Sequence, residues 1–180
     1  MMNEKHKTFI SYHHANDEYY KTEFKRLFSD LHDVIIPWDV EIGDIDPNLK
    51  TDTIRRKIRD EYLRDSTVTV VLIGTQSWQR KHIDWEIASS IRDTQSNSRS
   101  GLLGIFLPTY PLPENKYNPL TIPPRLYKNV ECGFAKLHKW SNNPYELQNW
   151  IHEAFERRVK ITPDNSYPLF VNNRNTNQWQ

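Results

Sequence analysis

The carboxylate that best suits chemistry in this chain is Glu86, in the stretch STVTVVLIGTQSWQRKHIDWEIASSIR from Ser66 to Arg92. Ile83, Ile87 and Ile91 recur every four residues and predict a helix from about Lys81 with one apolar stripe. At about 100° per residue, Glu86 falls about 60° to one side of Ile83, at the edge of that stripe. A carboxylate there is half-desolvated and close to the carboxyl end of a buried strand, Val68 to Ile73. Ser11, Tyr12, His13, Trp38, Ser77, Trp78 and His82 fall on loops predicted at the same edge of the sheet. One glutamate beside a polar, aromatic-lined cleft suits cleavage of an N-glycosidic bond. The sugar then develops oxocarbenium character, and the carboxylate stabilises that charge or holds the ribose hydroxyls. On position alone, a structural or solvent-facing glutamate is the competing reading.

Other chemistries find less support. His13, His14 and His82 sit on strand-end loops, but no HExxH or equivalent spacing accompanies them, so no metal site is assigned. The five glycines are scattered and form neither GxGxxG nor GxxxxGK[ST]. A bound nucleotide would therefore rely on strand-end loops, helix N-termini and stacking aromatics. Ser11 or Ser77 with a histidine could make a triad on paper, yet no GxSxG elbow supports it.

The elements that must position these residues alternate along the chain. Thr8–Tyr12, Val34–Ile36, Val68–Ile73, Leu102–Leu107 and Phe134–Trp140 read as strands. Between the first two, Tyr20, Phe24, Leu27, Phe28 and Leu31 keep helical spacing behind a cap at Asn16 or Asp17. A second helix is predicted from about Leu49 to Leu63, with Ile54, Ile58 and Tyr62 inward. Lys50, Arg55, Arg56, Lys57, Arg59 and Arg64 then form a solvated outer face. Asn143-Pro144-Tyr145-Glu146 resembles a capping box opening a helix with Leu147, Trp150, Ile151, Ala154 and Phe155 inward. Such alternation predicts a parallel α/β sheet with helices on both faces.

Two segments stand apart from that pattern. Six of the 11 prolines lie between Pro108 and Pro124, which predicts an irregular loop, either a lid or an interface. Residues 1–160 read as one domain, and 161–180 as a C-terminal extension that packs on it or trails from it. Trp85 points almost opposite the apolar stripe. It is a candidate contact for a partner protein or a second copy in a homo-oligomer, or it packs under the proline-rich loop.

A net charge of +1 gives no field to attract nucleic acid or an anionic membrane, so neither partner is expected. Cys132 is the single cysteine, which excludes an internal disulfide and suits a reducing, cytoplasmic setting. No apolar run approaches the ~20 residues of a membrane span.

Taken in order, Phe9-Ile10-Ser11-Tyr12, Ile35-Ile36-Pro37-Trp38-Asp39 with its acidic loop, Val70-Val71-Leu72-Ile73-Gly74 and Trp85-Glu86-Ile87 resemble the TIR domain. More closely, they resemble the TIR-like branch found in Thoeris anti-phage defence systems, over roughly Lys7 to Val159. The resemblance implies a flavodoxin-like fold whose glutamate, here Glu86, cleaves nicotinamide from NAD, with NAD as substrate and no cofactor. It places Ser11, Tyr12 and His13 against the substrate ribose and the loop Trp38 to Asp46 over the dinucleotide. It also implies a small cyclic or conjugated messenger, a downstream effector that the messenger activates, and a phage-derived trigger. Many family members carry tryptophan where this chain has His82, one turn before the glutamate. Two alternatives remain: a non-catalytic TIR-type interaction module working through Trp85 and the acidic loop, and a nucleoside deoxyribosyltransferase.

Overall fold

The computed structural model describes residues 5–28, 33–35 and 48–179. Five parallel strands form one sheet: β1 (Lys7–Ser11), β2 (Asp33–Ile35), β3 (Val68–Ile73), β4 (Gly101–Phe106) and β5 (Ala135–Lys139). Their order is β2-β1-β3-β4-β5, the flavodoxin-like arrangement. Each strand lies within one residue of the bounds expected from its apolar run. The helices are α1 (His14–Phe28), α2 (Thr51–Lys57), α3 (Lys81–Ser90), α4 (Pro124–Glu131) and α5 (Pro144–Lys160).

Strand pleating divides the core in two, because successive side chains point to opposite faces. Ile10, Val70, Leu72, Leu103 and Ile105 pack with Phe24 and Phe28 of α1 and with Leu147, Ile151 and Ala154 of α5. Val71, Ile73 and Leu102 pack on the other face with Ile83 and Ile87 of α3 and Leu126 of α4. All six residues of β3 are buried, as expected for a strand covered on both sides. Gly101 is required where α5 crosses β4: a Cβ there would lie 2.2 Å from the Ala154 carbonyl oxygen.

Three expectations change. The second helix ends at Lys57 and passes into a π-turn over Ile58–Tyr62. The wider turn carries Arg59 off the expected solvated face. Arg59 is 1% exposed, and its guanidinium donates to the Leu63 carbonyl at 2.7 Å and to Ser66 Oγ and the Ser66 carbonyl, both at 3.1 Å. The first helix begins at His14, not behind a cap at Asn16 or Asp17. The His13 carbonyl accepts from the Asn16 and Asp17 amides, which leaves Asp17 buried in the first turn. The sequence predicts no helix after the proline-rich loop, which is irregular up to Pro123 as expected, but α4 begins at Pro124, a first helical position where the missing N–H costs nothing.

The proline-rich segment packs on the domain through Tyr110 and Ile122, both buried in the core under α3 and α4. The segment 162–179 runs along α3, where Phe170 is buried, and ends with Trp179 buried against Pro119, Leu120 and Tyr127. Among the described residues no helix is long and apolar enough to cross a membrane. Leu31, Trp38 and the loop to Asp46 lie outside the described residues.

Candidate active site at the carboxyl ends of β1 and β3

The chain reverses direction across the sheet between β1 and β3, since β2 adds to one side of β1 and β4 to the far side of β3. Open α/β sheets bind ligands at such a switch point, outside the carboxyl ends of the strands. Ser11 ends β1 there. Pleating puts Ile10 and Tyr12 with α1 and α5, so Ser11 shares the opposite face with Phe9 and meets α3. Its Oγ donates to Glu86 Oε2 at 2.5 Å. Glu86 is 2% exposed and Ser11 0%.

This environment decides the charge on Glu86. Burial pushes its pKa up to about 8, opposed by the hydrogen bond from Ser11, which favours the carboxylate. At neutral pH the unliganded carboxyl is mostly protonated. A cation bound beside it would draw it toward the ionised form.

Two histidines adjoin the pair along the chain, His13 two residues after Ser11 and His82 one helical turn before Glu86. His82 Nε2 donates to the Tyr12 carbonyl at 3.0 Å, and its ring lies 5.0 Å from that of His14. His13 is buried, and its Nδ1 has no hydrogen-bond partner. Burial is the largest cause lowering both His13 and His82 to about 4, with the nearby charge of Arg80 acting in the same direction. Both rings are therefore neutral at pH 7, and neither repels a cationic ligand.

The remaining predicted residues are placed differently. Tyr12 reaches the site through its carbonyl, while its phenol donates to Glu18 Oε2 at 2.8 Å. The Ser77 hydroxyl accepts from the Gly74 amide at 2.8 Å and donates to the Leu72 carbonyl at 3.2 Å, so it closes the turn after β3. Trp78 is buried in the short 3₁₀ turn Ser77–Gln79. Trp38 lies outside the described residues.

The expectation of an exposed Trp85 is overturned. Trp85 is 3% exposed; its Nε1 donates to the Phe170 carbonyl at 2.7 Å, and Lys81 Nζ lies 4.7 Å from its ring centre. The C-terminal segment covers it, rather than the proline-rich loop or another protein. An interaction module built on a free Trp85 loses its contact residue.

Asp17 is a second buried carboxyl at this edge, with Oδ2 lacking a partner. Burial raises it to about 6, and the nearby Ser77 hydroxyl acts in the opposite direction. It was legible in part, being three residues before Tyr20 and seven before Phe24, on the helix's apolar face. Gly74 makes room for it: a Cβ there would lie 2.3 Å from Asp17 Oδ2.

Among the described residues no group of three or more His, Cys, Asp or Glu is arranged to hold a metal ion. A cavity of about 350 Å³ lined by Arg56, Asp60, Arg92 and Asp93 lies past the C-terminus of α3, at the other end of the sheet from Glu86.

Comparison with curated proteins gives no match. The family model described as Thoeris protein ThsB, TIR-like domain, matches residues 9–111, from β1 through β4 and into the proline-rich segment. That span takes in Ser11, the whole of β3 and α3, and Glu86. It covers more than half of the 180 residues, and the chain belongs to the TIR-like domain family of the Thoeris defence protein ThsB.

Proposed function

We propose that this protein cleaves the N-glycosidic bond between nicotinamide and ribose in NAD and passes the ADP-ribosyl group to an acceptor. The product is a small cyclic or conjugated messenger that activates an anti-phage effector once a phage-derived trigger is present. NAD is consumed as substrate, and no resident cofactor is required. The observation that carries this reading is the Ser11–Glu86 pair, buried at the strand switch point.

Nicotinamide leaves with the electron pair of the C1′–N bond and becomes neutral, while the ribose takes up positive charge. An ionised Glu86 stabilises that charge most where water is excluded. The cationic nicotinamide ring favours the carboxylate over the protonated form, so binding itself ionises Glu86 and the proton goes to solvent. Neutral His13 and His82 supply ring nitrogens without a competing charge. Arg80, close enough to depress both histidines, puts one cation near the crevice and suits the diphosphate. The acceptor, a hydroxyl of the same molecule or a second nucleophile, attacks C1′ and loses its proton.

Mass spectrometry of NAD incubated with the purified protein, with and without lysate from phage-infected cells, tests the reading. Free nicotinamide with an ADP-ribosyl product of matching stoichiometry is expected. Intact NAD under both conditions would contradict it.

A further inference from the structure

Residues 162–179 lie beyond the region that matches the family, yet they run back along α3 on the side turned away from β3. Asn165 Nδ2 donates to the Ala88 carbonyl at 2.9 Å. The Phe170 amide donates to Asp84 Oδ2 at 2.9 Å, and the Phe170 carbonyl accepts from Trp85 Nε1 at 2.7 Å. Asn173 Oδ1 accepts from the Lys81 amide at 2.8 Å, and the Arg174 amide donates to the Gln79 carbonyl at 2.8 Å. The segment thus holds α3 from its last turn to its first.

Each helix begins with four amides that have no partner inside it. Arg80 precedes α3 and supplies no side-chain cap, so Asn173 satisfies the first of these amides from 92 residues away. Two further attachment points, Asp84 and Trp85, are the two residues that precede Glu86 in sequence. A shift of α3 along its axis would move Glu86 off Ser11, and these bonds oppose that shift. Asn173 is exposed and covers no core, so its bond to Lys81 orders the helix start without adding to apolar burial.

We propose that residues 162–179 are a positioning element for Glu86, with Asn173 fixing the start of α3. The proposal rests on the reading of Glu86 as the catalytic carboxylate. A loosened first turn leaves NAD binding intact but lets the carboxylate drift from the geometry the transition state needs.

The test compares the full-length protein with Asn173→Ala and Asn173→Asp. Steady-state nicotinamide release and a carbon-13 NMR titration of the Glu86 carboxyl, which needs no turnover, are both measured. For Asn173→Ala, kcat is expected to fall about fivefold, the size of a lost cap, with KM held within about twofold. The Glu86 midpoint should rise above its wild-type value, because a carboxyl drawn off Ser11 loses the bond that favours its charged form. Asn173→Asp, which accepts the same bond, should restore both. Unchanged kcat and midpoint in Asn173→Ala, or no recovery in Asn173→Asp, would overturn the proposal. If the wild type releases no nicotinamide even with the phage-derived trigger present, the NAD reading falls, and the titration alone decides whether Asn173 positions Glu86: an unmoved midpoint overturns it.

Discussion

The Ser11 hydroxyl donates to the Glu86 carboxyl at 2.5 Å, joining the last residue of β1 to the second turn of α3 across 75 residues of sequence. It is the bond that favours the charged form of Glu86 against burial. The charge state of Glu86 thus depends on a residue of a different strand–helix unit.

The pH dependence of NAD cleavage should follow that balance. With the carboxylate as the active form, kcat/KM is expected to rise with pH through about 8, the midpoint in the free protein. The midpoint in kcat should lie lower, because the bound cation favours ionisation. Ser11→Ala removes the opposing bond and should raise the kcat/KM midpoint by about one to two units, from roughly 1.5–3 kcal/mol for a bond to a charged group. Initial-rate profiles from pH 6 to 10 check both.

Stability should run the other way. A folded pKa of about 8 against an ordinary 4.5 means that between those values the folded protein keeps a proton the unfolded chain has released. Stability from Glu86 therefore falls as pH rises through that window, by about 1.4 kcal/mol per unit of separation. Glu86→Gln lacks this term. Its melting temperature relative to wild type should climb from pH 5 to pH 9, and a constant difference would argue against a raised Glu86.

Strand positions were legible because a continuous apolar run that stops at Gly74 or Pro108 matches the length and composition of a strand buried on both faces. Glu86 was legible from its angle to Ile83. Trp85 was not: helical periodicity locates one buried stripe, but α3 is buried all round from Ile83 to Ser90, its second face covered by residues 162–179. Tyr167, Leu169, Phe170 and Trp179 mark that Asn- and Pro-rich segment as one that can pack, but its local pattern does not indicate α3 as the surface it packs on. Arg59 was misplaced for a related reason, since a π-turn breaks the 3.6-residue count on which its outward position rests.

Gly74 and Asp17 should be energetically coupled. Gly74→Ala places a Cβ 2.3 Å from Asp17 Oδ2 and is expected to cost about 1–3 kcal/mol. In Asp17→Ala the space exists, so Gly74→Ala should then cost less than half as much. Urea denaturation of the four proteins measures the coupling, and additive losses would contradict it.

The buried Asp84–Arg125 pair ties α3 to α4, with Nε to Oδ1 at 3.0 Å, and Asp84 also accepts from the Phe170 amide. Arg125→Met leaves Asp84 without its cation and should cost about 3–5 kcal/mol. Asp84→Asn with Arg125→Met should recover part of that loss in the same denaturation assay.

Nicotinamide release from NAD by wild type and Glu86→Gln, at equal concentration and with the phage-derived trigger present, tests the central claim most directly. The account predicts release by the wild type and a loss of at least about 100-fold in the variant, which should remain folded. Equal release by the two proteins would contradict it.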